Sequence, residues 1–156
     1  MTKALVFVAP GAQVVGDVRM ADESSVFFGS VLRGSVILEE RANVQDNSII
    51  EGSPSQPAVI GAGTSVGHNA RISGAIVEPR SLIAIGARVL PGARVGSQSI
   101  VAANATVPEG MHVPPRSLVI GNGRILRQVT DAEIERIDRG ARDYARLTRE
   151  YSSAMC

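Results

Sequence analysis

The sequence has few aromatic residues and almost no cysteine. Tryptophan is absent, aromatic residues make up 3% of the 156 positions, and Cys156 is the one cysteine. A core without large rings must consist of aliphatic side chains of similar size. A lone cysteine excludes a disulfide framework and a thiolate metal cluster within one chain, which is consistent with a reducing compartment.

Long apolar runs and an excess of one charge are also missing. The longest apolar run near the N-terminus, residues 4–9, is too short to span a membrane and lacks the layout of a signal peptide. The chain carries 16 basic and 15 acidic residues, and Lys3 is its one lysine. Because nucleic-acid-binding proteins usually carry a basic excess, we expect a cytoplasmic protein of one domain, with neither a nucleic acid nor a membrane as partner.

What the sequence does contain is a six-residue repeat. An aliphatic residue recurs at every sixth position, and the residue four positions later is mostly small. This period fits neither an α-helix nor a long alternating strand, and it is typical of a parallel β-helix, in which three hexads form one triangular coil. The repeat predicts about seven coils. The predicted inward positions are Val8, Val14, Met20, Val26, Leu32, Leu38, Val44, Ile50, Ile60, Val66, Ile72, Val77, Ile83, Val89, Val95, Val101, Val107, Val113, Val119 and Ile125.

The repeat is interrupted twice and is followed by a helical pattern. Residues 52–57, Gly-Ser-Pro-Ser-Gln-Pro, predict a loop extruded at a corner, and the series slips by one residue at 75–77. Thr130 and Glu133 form a predicted capping box, and the apolar stripe behind it predicts a helix of about 20 residues lying along the stack. The expected fold is therefore all-β with a C-terminal helix: a β-helix over residues 1–126 and the helix within 127–156, in the same domain.

Outward residues at equal positions in successive coils should stack. This arithmetic places Arg33, Glu51 and Ser73 in one row and Phe28, Asp46 and His68 in a second row on the adjacent face. A further prediction is that Phe27 and Phe28 are outward-facing apolar residues, which together with Asn43 mark a subunit interface. In the alternative interpretation, Phe28 packs beneath the C-terminal helix.

The sequence resembles the γ-class carbonic anhydrases over nearly its whole length. The resemblance implies a left-handed β-helix with a C-terminal helix, assembled as a homotrimer. It also implies zinc or iron at each subunit interface, held by three histidines, two from one subunit and one from its neighbour. The matching segments, in order, are residues 14–17, 25–34 (SVFFGSVLRG), 43–48 (NVQDNS), 60–61, 66–70 (VGHNA), 91–93 (PGA) and 114–121.

The metal ligands of that family are only partly retained. His68 stands at one ligand position, whereas Glu51 and Ser73 stand at the other two. Ser35 replaces an acidic residue of the family, and the acidic proton-shuttle loop is absent. The retained residues around the family's metal are Asn43 and, at positions equivalent to catalytic ones, Arg33, Gln45 and Asp46.

These departures bear directly on the chemistry. A catalytic zinc normally has three protein ligands, serine is a poor ligand, and Glu51 is expected to pair with Arg33 on the neighbouring strand. We therefore favour a polar ladder without a tightly bound cofactor over a weak zinc or iron site at the interface, and both over a competent three-ligand site. His112 lies too far along the stack to complete the ligand set and is interpreted as an ordinary corner residue.

Three functions remain open from the sequence. The first is a carbonic anhydrase-like trimer that is inactive or weak in CO2 hydration and binds a small anion such as bicarbonate near His68, Gln45 and Arg33, or acts as a scaffold, alone or mixed with an intact paralogue. The second, from fold analogy, is an acyl-CoA transferase or thioesterase with His68 as general base. The third is an active hydratase that uses Glu51, His68 and either water or Ser73.

Overall fold

The six-residue repeat folds into a parallel β-helix followed by one long helix. The computed structural model describes residues 4–154, so Lys3 and Cys156 lie outside the described residues. The strands are β1 (Phe7–Val8), β2 (Gln13–Met20), β3 (Ser25–Val26), β4 (Val31–Leu38), β5 (Asn43–Val44), β6 (Ile49–Gly52), β7 (Ala58–Ile60), β8 (Ser65–Val66), β9 (Arg71–Ser73), β10 (Ile76–Val77), β11 (Leu82–Ile83), β12 (Arg88–Val89), β13 (Arg94–Val95), β14 (Ile100–Val101), β15 (Thr106–Val107), β16 (His112–Val113), β17 (Ser117–Ile120) and β18 (Arg124–Gln128), and the helix is α1 (Asp131–Ala154).

The strands form three faces. The first face contains β1, β3, β5, β8, β11, β14 and β17 in parallel order, and β18 closes it in antiparallel orientation. The second face runs through β2, β4, β6, β9, β12 and β15, and the third through β2, β4, β7, β10, β13 and β16, because β2 and β4 turn the corner without a break. The β-helix therefore has about six turns, slightly fewer than the seven expected.

The inward aliphatic column is the core. Leu32, Ile50, Ile72 and Ile83 are fully buried, as are most predicted members of the series, and burying one such side chain contributes about 1.5–3 kcal/mol. The first-coil residues Val8 (41% exposed) and Val14 (38%) are exceptions, because within residues 4–154 β1 and β2 have a neighbouring coil on one side only.

The prediction for Ile125 is wrong. This side chain is 44% exposed, because it lies in β18, which reverses direction and leaves the repeat. The inward series therefore ends at Val119.

Both interruptions of the repeat fall at the corner between the second and third faces. Regular coils pair residues 18 apart, as Ser25 does with Asn43. Asn43 pairs with Ser65, 22 residues on, because the loop after β6 inserts four residues, and Ser65 pairs with Leu82, 17 residues on, because the next corner is one residue shorter. Gly74 of that shortened corner lies against Gln56 of the loop. The slip thus lies directly above the inserted loop.

Helix α1 begins with the predicted capping box and covers the first face. Thr130 Oγ1 accepts a hydrogen bond from the backbone N–H of Glu133 (3.2 Å), and the Glu133 carboxylate accepts one from the N–H of Thr130 (2.9 Å). The helix contacts β1, β3, β5 and β8, and a bidentate ion pair between Arg80 and Asp138 fixes it to a corner. No helix within residues 4–154 is both long and apolar enough to cross a membrane.

A column of glycines lines the interrupted corner. Gly16, Gly34 and Gly52 are in register, and the corner continues through Gly92 and Gly110. Gly34 has φ +85°, and a Cβ there would lie 2.0 Å from the carbonyl oxygen of Gly52. Close backbone approach, and not only backbone conformation, therefore requires glycine at position 34.

Gly34→Ala should prevent folding or cost more than about 4 kcal/mol, since strain and a backbone clash add. The matched control is Gly110→Ala, where φ is +70° but the added Cβ meets open space, so that only the cost of left-handed backbone, about 1–2 kcal/mol, applies. Urea unfolding followed by circular dichroism measures both. Equal losses in the two variants would contradict the close-approach explanation.

Candidate functional site

The predicted polar row is present on the second face. Strands β4, β6 and β9 make Arg33 and Glu51, and then Glu51 and Ser73, register partners in adjacent coils. Each of the three side chains points outward because its inward neighbour, Leu32, Ile50 or Ile72, is fully buried in the core.

Glu51 is bonded on both carboxylate oxygens. Oε2 accepts two hydrogen bonds from Arg33, from Nε at 2.9 Å and from Nη2 at 2.7 Å. Oε1 accepts one from Arg71 Nη2 at 2.8 Å and one from Ser73 Oγ at 3.0 Å. We call these four residues, Arg33, Glu51, Arg71 and Ser73, the Glu51 cluster. It joins three successive coils and carries a net charge of one positive unit.

Arg71 is the member of this cluster that the sequence interpretation missed. It lies in β9 two residues before Ser73, so both side chains leave the strand on the same face. That alternation was the available signal. Stacking of equal hexad positions does not predict this contact, because Arg71 reaches Glu51 diagonally from a different hexad position.

The arginines strongly favour the ionised form of Glu51. Hydrogen bonds from Arg71 and then Arg33 lower the pKa of the Glu51 carboxyl from its ordinary 4.5 to about 2, against a smaller opposing effect of burial. The side chain is 25% exposed, so solvent screens these ion pairs only in part.

The residues at the family's ligand positions do not fit a zinc or iron ion. Both Glu51 oxygens already accept charge-assisted hydrogen bonds, and Ser73 uses its hydroxyl hydrogen on the same carboxylate. A cation would have to displace two guanidinium groups and gain a serine oxygen in return. Within residues 4–154, no group of three or more His, Cys, Asp or Glu side chains of one chain could hold a metal ion.

The second predicted row lies at the corner between the first and second faces. Backbone hydrogen bonds join its turns: Asn47 N–H to Phe28 O at 3.0 Å and Asn69 N–H to Asp46 O at 3.0 Å. His68 is half-buried at the next step, and its carbonyl accepts from Gly86 N–H at 2.9 Å. The stacking of Phe28, Asp46 and His68 is therefore as predicted.

Gln45, which is half-buried, and Asn43, which is buried, form a hydrogen-bonded pair beside this row. Gln45 Nε2 donates to Asn43 Oδ1 at 3.1 Å, and Asn43 Nδ2 donates to Ser65 Oγ at 2.8 Å. Asn43 is 1% exposed, on a strand that α1 contacts. Its polar groups are thus used within the chain, so the expectation that Asn43 marks an exposed interface needs correction.

The expectation that Phe27 is exposed is wrong. Its ring is 4% exposed and packs with Phe7 beneath Tyr144 and Tyr151 of α1, with centroid distances of 5.2 Å to Tyr144 and 6.3 Å to Tyr151. Phe28 lies at the margin of this cluster, 38% exposed and 6.4 Å from the ring of Phe7. The alternative interpretation, packing against the helix, therefore describes Phe27, and an interface role for Phe28 stays a prediction.

His112 is a strand residue and not a corner residue. It belongs to β16 and pairs with Arg94 on the third face. It therefore lies on a different face from the Glu51 cluster, and its exclusion from the ligand set does not depend on the corner assignment.

The β-helix with its covering helix defines a hexapeptide-repeat protein. Similarity to known proteins shows which family of this class the chain belongs to. The chain is 38% identical to a carbonic anhydrase of Geobacillus kaustophilus over 96% of this chain and 85% of that protein. It is 36% identical to mitochondrial gamma carbonic anhydrase 1 of Arabidopsis thaliana over 94% of this chain but 57% of that protein. The chain therefore belongs to the γ-carbonic anhydrase family, although no family model matches it.

A solved structure supports the same fold. A Bacillus cereus protein provisionally described as an acetyltransferase superposes with a TM-score of 0.92 at 28% identity, covering 97% of this chain and 91% of that one. Family and fold are thus shared with named enzymes, whereas the Glu51 cluster is a property of this chain's own residues.

Glu51→Gln should make the protein less stable at neutral pH by on the order of 2 kcal/mol and should flatten its acid unfolding. A carboxyl whose pKa is lower in the folded than in the unfolded state contributes stability above the unfolded value of 4.5, and that contribution is lost as the pH falls towards 2. Urea midpoints between pH 7 and 2.5 measure the difference. Glu109→Gln is the control, since Glu109 is exposed and pairs with no residue within 4–154; identical curves for both variants would contradict a stabilising Glu51 cluster.

Proposed function

We propose that this chain is a carbonic anhydrase homologue that does not hydrate CO2 through a tightly bound metal. The Glu51 cluster carries the proposal, because a carboxylate held by two arginines and a serine stands where the family has metal ligands. Membership of the family supports a homotrimer with interface clefts. In this proposal the cleft persists as a small-anion site or a docking surface, and the Glu51 cluster stabilises the strands that line it.

A small anion such as bicarbonate suits the charges of this region. The Glu51 cluster has one positive charge in excess, and the Arg33 side chain is 53% exposed. His68 and Gln45 lie on the adjacent corner, where they can add hydrogen-bond donors from the neighbouring subunit of the proposed trimer. Binding here would use charge and hydrogen bonds and would need no metal.

Metal content and activity test the proposal. Native protein purified without chelators and then incubated with zinc or iron should retain far less than one ion per chain and should not accelerate CO2 hydration. Elemental analysis and stopped-flow hydration measure these two quantities. Stoichiometric metal together with rapid turnover would overturn the proposal.

A variant designed to gain a metal ion tests whether positions 51 and 73 lie close enough to share one. Glu51→His with Ser73→His should acquire zinc, since it places two imidazoles in adjacent coils and removes the carboxylate that the arginines hold. The matched control, Glu109→His with Glu150→His, adds two histidines at exposed positions, one at a corner of the β-helix and one near the end of α1, and should acquire none. Equal zinc in both variants would indicate non-specific binding by added histidines.

Acyl transfer is the second candidate, favoured by the close superposition on a protein provisionally described as an acetyltransferase. His68 would then be the general base, with Asp46 one coil below it. Acetyl-CoA turnover by native protein, lost in His68→Ala, would support this function over the first one. Absence of turnover with a panel of acyl-CoA thioesters would reject it.

A further inference from the structure

One step along the second face from Glu51, two arginines stack without a carboxylate between them. Arg71 and Arg88 are register partners in β9 and β12, so their backbones lie about 4.8 Å apart. Arg71 donates one hydrogen bond, from Nη2 to Glu51. The Arg88 side chain is exposed and makes no hydrogen bond or ion pair with any residue within 4–154.

This arrangement is unfavourable in the protein alone. Like charges directly opposite each other on neighbouring strands destabilise a sheet. The row that contains Arg71 and Arg88 offers no acidic group to offset them, because its other members are Gln13, Val31, Ile49 and Thr106. The adjacent row holds one acid, Glu51, and both its oxygens are already bonded.

The Glu51 cluster shows which kind of group the arginines of this face bind. There, two guanidinium groups and a hydroxyl surround the two oxygens of one planar carboxylate. At the next step, Arg71 and Arg88 are register partners in adjacent coils, and Thr106, the register partner of Arg88 in the following coil, carries a hydroxyl. Two guanidinium groups and a hydroxyl thus again lie on this face, here without a carboxylate in their row.

We propose that Arg71 and Arg88 form a binding site for a small oxyanion, bicarbonate or phosphate, which neutralises this pair as the Glu51 carboxylate neutralises Arg33. The anion offsets the repulsion between the two guanidinium groups and accepts their charge-assisted hydrogen bonds. The inference rests on the proposed function only for the class of ligand, a small anion, because it places that anion on different residues from His68 and Gln45.

Thermal unfolding in chloride, phosphate and bicarbonate buffers of equal ionic strength and pH tests the site. Native protein should unfold at a higher temperature in phosphate or bicarbonate than in chloride, by roughly 3 °C at ten times the half-saturating concentration. Arg88→Gln should lose most of this shift. In chloride alone, however, Arg88→Gln should unfold at the same temperature as native protein or a higher one, because it removes the repulsion without losing a partner.

The matched control is Arg124→Gln. Arg124 is also an exposed strand arginine without a partner within residues 4–154, but its register partner is Ile120 and not another arginine. This variant should keep the full oxyanion shift. Sedimentation of all three proteins accompanies the measurement, to detect a carboxylate supplied by a second copy.

Three results would overturn the proposal: an equal oxyanion shift in Arg88→Gln, a lower unfolding temperature of Arg88→Gln in chloride, or dissociation of its oligomer. The last result would mean that a neighbouring chain provides the anion. Failure of the proposed function is distinguishable, since stoichiometric metal and CO2 hydration in native protein would overturn that function and leave the effects of Arg88→Gln unchanged.

Discussion

The parallel register of successive coils is the constraint on which the rest of this molecule depends. Each coil repeats the hydrogen bonds of the one below at the strand spacing of about 4.8 Å, so in a regular coil a residue's neighbours are those 18 positions before and after it. Inward, this register stacks aliphatic side chains into one buried column. Outward, it brings Arg33, Glu51 and Ser73 together, and it does so although the corner loop lengthens the step from Glu51 to Ser73. One rule therefore builds both the core and the candidate site.

The inward and outward positions of each strand nevertheless tolerate substitutions independently of each other. Changing an outward residue leaves the buried column intact, because Leu32, Ile50 and Ile72 supply the core at these steps. The family fold can therefore persist while its ligand positions change. The requirement on the outward side is electrostatic: a partly buried carboxylate needs positive or hydrogen-bonding partners, and Arg33, Arg71 and Ser73 provide them.

Much of the fold and of the candidate site could be predicted from the sequence, because the sequence pattern that specifies them is periodic. The hexad period fixed the faces, the rows around Glu51 and His68, and the corner loop, and Thr130 with Glu133 fixed the start of α1. What escaped prediction depends on contacts between elements far apart in the chain. The burial of Phe27 follows from where α1 lies, which no local pattern specifies. Ile125 kept the six-residue spacing after the chain had reversed direction, so periodicity alone could not show that the coil had ended.

Glu51, Ser73 and the two arginines beside them form a matched set. A glutamate at position 51 beside Arg33 alone would leave one carboxylate oxygen without a charged partner. Ser73 and Arg71, two residues apart on β9, both donate a hydrogen bond to that oxygen. Replacing Glu51 alone would leave Arg33 and Arg71 without their shared carboxylate, whereas replacing Ser73 alone would remove one of the four hydrogen bonds to it. The polar ladder is thus self-consistent without a metal ion, because both oxygens of the Glu51 carboxylate have donors on the same backbone.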